Sequence, residues 1–220
     1  ILLLFSIGLL LSFAASPPLA EKNGFAPFHY VERQLIFGSL SIATMFALSM
    51  MSVDSVRRLA VIGFVFSFIG LMLLPIFGTD FGKGATRWYT LGFASLQPSE
   101  FLKPCFLVVT AWMISASKEI NGPPGKIISF LLTIMISGFL VFQPDFGQAC
   151  LILFGWSVVY FTAGAHILLL VAVAAITIGL GSFAYNYSEH FARRIDGFLS
   201  PDLDPKTQLG YATNAIQEGG

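Results

Sequence analysis

Charge is scarce in this sequence. Only 11% of its 220 residues are Asp, Glu, Lys or Arg, where an ordinary soluble domain carries about 25%. Hydrophobic residues make up 55%, and the mean hydropathy is +0.79. A soluble core of this size could not hide so much apolar surface, whereas a bilayer makes hiding it unnecessary. The 12 Lys and Arg balance the 12 Asp and Glu, so net charge points neither to nucleic acid nor to an acidic partner. Cysteine is nearly absent. Cys105 and Cys150 both fall inside apolar runs and read as reduced packing residues, not as a disulfide framework. His29, His166 and His190 are scattered, and no His/Cys cluster has metal-ligand spacing. A P-loop, a dinucleotide fingerprint, a nucleophile elbow and a zinc-binding helix are all missing, which removes the common soluble-enzyme classes.

Long apolar runs fill the space. A membrane helix needs about 20 mostly apolar residues, and seven segments approach that length. They are Ile1–Ala15, Gln34–Val53, Leu59–Phe77, Pro98–Ser117, Ile127–Phe142, Phe146–Ala163 and Ile167–Tyr185. Polar stretches separate them: a loop from Ser16 to Arg33, a charged turn at Asp54–Arg58, a Gly- and charge-rich loop from Gly78 to Gln97, and a Gly/Pro turn within Lys118–Lys126. Residues 186–220 form a polar tail, in which Pro201, Pro205 and repeated Asp argue for an irregular loop. The runs are continuous and do not alternate, so they read as helices and not as a barrel. The expectation is one all-α, polytopic membrane helix bundle over residues 1–220. The sequence opens on Ile1 inside an apolar run and closes on Gly219-Gly220, and we read it as a fragment of a longer chain.

Short-loop Lys/Arg counts set orientation in membrane proteins, and here they conflict. One side holds Arg57, Arg58, Lys118 and Lys126; the other holds Lys22, Arg33, Lys83, Arg87, Arg193, Arg194 and Lys206. The tight turns at 54–58 and 118–126 resemble cytoplasmic anchors. The basic residues on the outer face then need a reason, such as an anionic ligand.

Four stretches carry chemistry. In Asp80–Tyr89, Arg87 offers a bidentate phosphate donor, while Trp88 and Tyr89 equally suit an interfacial anchor. In Gln97–Pro104, Glu100 and Lys103 share a helix face. They are either a capping and snorkelling pair or a charge pair facing a cavity. In Phe142–Ala149, Asp145 lies between two apolar spans beside Pro144. It is either a helix cap or a carboxylate in a ligand cavity, serving as a base, a Lys/Arg partner or a metal ligand. In the tail, Arg193 and Arg194 could anchor at lipid or hold a phosphate.

These stretches, in this order, resemble one family. Gly84-Ala85-Thr86-Arg87-Trp88, Gln97-Pro98-Ser99-Glu100-Phe101 with Lys103, Gln143-Pro144-Asp145-Phe146-Gly147, and Arg193-Arg194-Ile195-Asp196 through Pro201-Asp202 to Gly210-Tyr211 are similar to the SEDS proteins (shape, elongation, division and sporulation). Pro27-Phe28-His29 and its surroundings are closer to the cell-division branch, FtsW, than to the elongation branch, RodA.

The resemblance implies a ten-helix glycosyltransferase of the bacterial inner membrane, working at the division septum. Its substrate would be lipid II, an undecaprenyl-pyrophosphate-linked disaccharide peptide. Its partners would be a class B penicillin-binding protein transpeptidase and other division proteins. A lipid II flippase and a non-catalytic division scaffold stay as alternatives. Arg87 and Lys103 would take the cationic role, Glu100 and Asp145 would shape the cavity, and Trp88, Arg193 and Arg194 complete the expected substrate-binding set. A divalent cation, Mg or Mn, bridging the pyrophosphate is compatible with this chemistry. The family's catalytic Asp would lie in the large outer loop beyond Gly220, so no catalytic residue is expected within these residues, and the segment alone would be inactive. Gln148 and Ala212 depart from the family pattern, which has Thr and Gln there.

Overall fold

The computed structural model describes residues 1–79, 86–90, 92, 95–143, 145–164, 167–187, 189–199, 210, 213 and 216–217, with the side chains of 169, 190, 194, 198 and 199 left aside. The chain divides into two compact units, Ile1–Leu59 and Ala60–Gly220. Its helices are α1 (Leu2–Lys22), α2 (His29–Ser49), α3 (Val53–Phe77), α4 (Pro98–Ala116), α5 (Gly125–Phe142), α6 (Phe146–Thr162), α7 (Ile167–Tyr187) and α8 (Glu189–Leu199). Among the described residues the only strands are β1 (Tyr89–Thr90) and β2 (Ser95–Leu96), an antiparallel pair with Tyr89 opposite Leu96. The protein is thus an all-α polytopic bundle. Helices α1, α3, α4, α5 and α7 are long and apolar enough to cross a membrane; α6 is apolar but only 17 residues long. Helix α2 is more polar, carrying His29, Glu32, Arg33 and Gln34 in its first turns.

In the first unit, α1 and α2 form an antiparallel hairpin. The Phe5 ring lies against Gly38, and Phe13 meets Phe28 with centroids 6.0 Å apart. The expected loop from Ser16 to Arg33 is much shorter than the sequence suggested. Helix α1 runs through Pro17 and Pro18 to Lys22, and α2 begins at His29. Inside a helix proline removes an N–H and crowds the carbonyl four residues back, costs that membrane-spanning helices tolerate. Here that leaves only two carbonyls, of Phe13 and Ala14, without their helical donors, so the helix continues.

In the second unit, the core gathers Leu71 and Leu74 of α3, Leu102 and Phe106 of α4, Ile136 and Leu140 of α5, and Ile152, Leu153 and Trp156 of α6. Trp156 is fully buried. It stacks on Tyr160 at 4.7 Å and donates its indole N–H to the Ser129 hydroxyl at 3.2 Å. Small residues let these helices approach closely, as expected where lipid supplies no hydrophobic drive for helix pairing. A side chain at Gly63 would strike Cys105, and one at Gly155 would strike Leu107. Large apolar side chains stand out on the opposite faces: Phe66 is 73% exposed, Leu168 75% and Phe142 87%. Such faces suit lipid and not water.

The start of the tail expected to be irregular from residue 186 is helical. Helix α7 reaches Tyr187, and 189–199 form α8. Phe191 and Ile195 stand one turn apart, opposite Glu189, Arg193 and Asp196, so α8 is amphipathic. It is tied down at both neighbours: Phe191 packs on Phe146 at 4.7 Å, and the Tyr185 hydroxyl donates to Asp196 at 2.7 Å. Residues 200–209, with Pro201 and Pro205, lie outside the described residues.

Candidate functional site

The site forms where α4 and α6 begin side by side. Asp145 is the N-cap residue of α6, yet its carboxylate makes no capping bond. The sequence left capping open as its role; the structure turns the side chain toward its neighbours instead. Asp145 Oδ1 lies 3.7 Å from Arg87 Nη1, and Oδ2 accepts a hydrogen bond from Gln97 Nε2 at 3.4 Å. Both charged side chains are largely buried, Arg87 19% and Asp145 12% exposed. At that burial a one-sided truncation leaves a poorly solvated charge behind. Arg87 is held on a second side too, since its Nε donates to the Gln143 carbonyl at 3.3 Å. Gln143 is itself anchored: its Nε2 donates to the Leu71 carbonyl of α3 at 2.9 Å. Arg87 therefore reaches from the segment after α3 to the α5–α6 junction, pairing residues 58 positions apart in sequence.

One turn into α4 lies a second charge pair. Lys103 Nζ is 2.7 Å from Glu100 Oε2. The sequence placed these two on one face, and the structure pairs them. Glu100 Oε1 accepts a hydrogen bond from Gln148 Nε2 of α6 at 2.7 Å. The pair is thus not a lone snorkelling bridge but is bound across to the neighbouring helix. It is also wetter, with Lys103 23% and Glu100 48% exposed.

The remaining expected residues fall around this cluster. Trp88 is half-buried and pairs its backbone with Thr79, whose N–H bonds to its carbonyl at 2.8 Å. Next to it, Tyr89 donates its hydroxyl to the Gly70 carbonyl at 2.7 Å, and burial pushes its pKa up. Arg193 lies on α8 and pairs with Glu189 at 3.3 Å, both widely exposed, so no direct contact joins it to Asp145. The Phe146–Phe191 contact places its helix beside the start of α6. The side chain of Arg194, and all of Lys83 and Pro144, lie outside the described residues. Beneath Phe146 is a cavity of about 220 Å³ between α5, α6 and α7, lined by Ser137, Phe142, Phe146, Cys150, Leu180 and Phe191 among others. It is apolar apart from Ser137 and Thr177.

The order of these groups along the chain decides the family. The pattern of the FtsW/RodA/SpoVE cell cycle proteins matches residues 1–220. The chain belongs to that family. A family member from Caulobacter vibrioides, "Probable peptidoglycan glycosyltransferase FtsW", is 36% identical over 99% of this chain and 56% of its own length. The fold agrees. A chain from the structure titled "Structural coordination of polymerization and crosslinking by a peptidoglycan synthase complex" superposes with a TM-score of 0.65, at 28% identity, over 96% of this chain and 63% of that one. The Thermus thermophilus rod shape determining protein RodA gives 0.56 at 29% identity, over 77% of this chain and 58% of that one. The chain spans about half the length of the curated relatives it matches. It is a multi-pass membrane protein of this family.

Within the family segment, three glutamines do work that the sequence reading did not assign to them. Gln97 and Gln148 each donate an amide N–H to a carboxylate of the cluster, and Gln143 donates to the Leu71 carbonyl of α3. Their signal was present: an amide at the edge of an apolar span needs a partner. In the sequence, Gln97 and Gln143 stood as motif residues without a role of their own, and Gln148 as a departure from the family pattern.

Among the described residues, no three His, Cys, Asp or Glu side chains come together. The two carboxylates of the cluster are each shared between an amide and a cation. This donor set does not fit a resident metal.

Proposed function

We propose that the complete protein is a peptidoglycan glycosyltransferase of the bacterial inner membrane, polymerising lipid II at the division septum with a class B penicillin-binding protein. In this reaction the 4-hydroxyl oxygen of one lipid-linked sugar attacks the anomeric carbon of another. The bond from that carbon to the pyrophosphate breaks, its electron pair leaves on undecaprenyl pyrophosphate, and the hydroxyl proton passes to a base. The observation that carries the reading is the largely buried Arg87, held on Asp145 and on the Gln143 backbone carbonyl at the start of α6. A fixed cation in a poorly hydrated site stabilises charge growing on a leaving group without having to reorganise. Lys103, held on Glu100, supplies a second positive group at the neighbouring helix start. Asp145 and Glu100 each serve a cation and an amide, so we assign the base to a carboxylate outside these residues. Trp88 borders the site at the interface, and Arg193 and Arg194 on α8 attract the anionic headgroup.

The apolar cavity fits the same substrate. A cavity of about 150 Å³ holds benzene, so 220 Å³ seats one or two isoprene units. It would take only the part of the polyprenyl chain next to the pyrophosphate.

The test uses protein expressed from the complete gene, with its transpeptidase partner and fluorescent lipid II. Arg87→Ala should lower polymer formation on the order of a hundredfold, the range seen when one donor to a developing anion is lost. Wild-type polymerisation by this variant would remove Arg87 from the site. Movement of lipid II across vesicles without any polymer would make the protein a transporter.

A further inference from the structure

The starts of α4 and α6 mirror each other. Gln97 is the N-cap of α4 and Asp145 the N-cap of α6. Three residues on, and hence on the same helix faces, stand Glu100 and Gln148. Each helix therefore offers one amide and one carboxylate, in opposite order. Gln97 donates to Asp145, and Gln148 donates to Glu100. In both bridges the amide takes one carboxylate oxygen and a cation takes the other: Arg87 faces Oδ1 of Asp145, and Lys103 faces Oε2 of Glu100.

We propose that Gln97 and Gln148 are positioning residues that set the two cations for the pyrophosphate of the lipid-linked donor; this rests on the glycosyltransferase reading above. A carboxylate left to itself swings, and its cation moves with it. An amide on one oxygen leaves a single oxygen for the cation, which is then anchored but not enclosed. Lys103 has three N–H donors, and Glu100 Oε2 takes one of them. Glu100 is otherwise a long, 48% exposed side chain, and Gln148 is what stops it swinging.

Gln148 has no other evident reason for its orientation. Its own carbonyl oxygen is buried without a hydrogen-bond partner. Turning the amide over would not help, because two acceptor oxygens would then face each other at 2.7 Å. The side chain tolerates an unsatisfied acceptor in order to donate to Glu100. Of the two bridges this one is short, whereas the Gln97 bridge is long at 3.4 Å, so Gln148 is the sharper test.

The experiment has two independent readouts on protein from the complete gene. The first is the labelling rate of Lys103 by an amine reagent, with Lys118 and Lys126 as internal controls. The second is binding of undecaprenyl pyrophosphate. In Gln148→Leu, Lys103 should label about tenfold faster and the probe should bind about tenfold more weakly, the lower end of the effect of one hydrogen bond to a charged group. The exchange Glu100→Gln with Gln148→Glu restores an amide–carboxylate bridge but moves the carboxylate off α4. It should recover the melting temperature and leave probe binding weak; recovery of both would mean a purely structural role. Unchanged Lys103 labelling in Gln148→Leu, in protein that melts like wild type, overturns the proposal. If wild type fails to bind the probe, the glycosyltransferase reading falls, and the labelling rate still judges whether Gln148 sets Lys103.

Discussion

Gln143 shows how much one neutral residue can hold. It is 8% exposed; its side-chain amide secures the Leu71 carbonyl of α3, and its backbone carbonyl receives Arg87. Gln143→Leu keeps the size and the backbone acceptor but removes the donor, leaving the buried Leu71 carbonyl unsatisfied. We expect a loss of about 1–3 kcal/mol, measured by thermal unfolding in detergent. Tyr89 adds a pH dependence. Burial raises its pKa above the ordinary value near 10, so the folded state holds the phenol proton more tightly than the unfolded state does. Its contribution is complete below the unfolded pKa and is lost as pH rises through the folded one. Tyr89→Phe should flatten the alkaline limb of the stability curve, as followed by melting from neutral pH upward. At this scale the sequence was half legible. Glu100 and Lys103 announce their pairing by a spacing of three. Arg87 and Asp145 do not, because nothing local marks two residues that meet only through the fold.

At the scale of elements, apolar runs placed the spanning helices well because lipid leaves the backbone no alternative. The errors fell where helix continues without an apolar run. Pro17 and Pro18 looked like breakers but fit inside α1, and α8 was hidden by the prolines and acids that follow it. The spacing of Phe191 and Ile195 was the available signal. Glycines test the packing between elements. A side chain on Gly125 would collide with the Met113 carbonyl, whereas one on Gly179 of α7 meets nothing within 4 Å. Gly125→Ala should destabilise measurably. Gly179→Ala should be neutral or stabilising by up to about 1 kcal/mol, the helix propensity gain. Helix α8 offers a separate check. Phe191→Ala removes its contact with Phe146 and should speed hydrogen exchange across 189–199 while leaving α5 protected.

For the molecule as a whole, the question is which side of the bilayer the cluster faces. Helix α4 starts at the site and ends at the loop carrying Lys118, and Asn121 in that loop has a left-handed φ of 70°. A background lacking Cys105 and Cys150 allows the two ends to be labelled separately. Asn121→Cys should react with a membrane-impermeant thiol reagent only from the cytoplasmic side, and Glu189→Cys only from outside. The opposite pattern would put the cluster inside and separate it from cell-wall chemistry.

The short length of α6 has one more consequence. Its 17 residues rise about 26 Å, less than the roughly 30 Å of a typical hydrocarbon layer. The 25 residues of α3 reach about 38 Å by the same rise. With its far end at the opposite surface, the start of α6 sits below the headgroup plane, or the leaflet thins to meet it. Where the leaflet thins, the bilayer dimples over Asp145. A pyrophosphate bound there would stay near the depth at which its prenyl chain already lies. Activity should therefore depend on membrane thickness, declining as reconstitution lipids are lengthened and the dimple becomes harder to sustain.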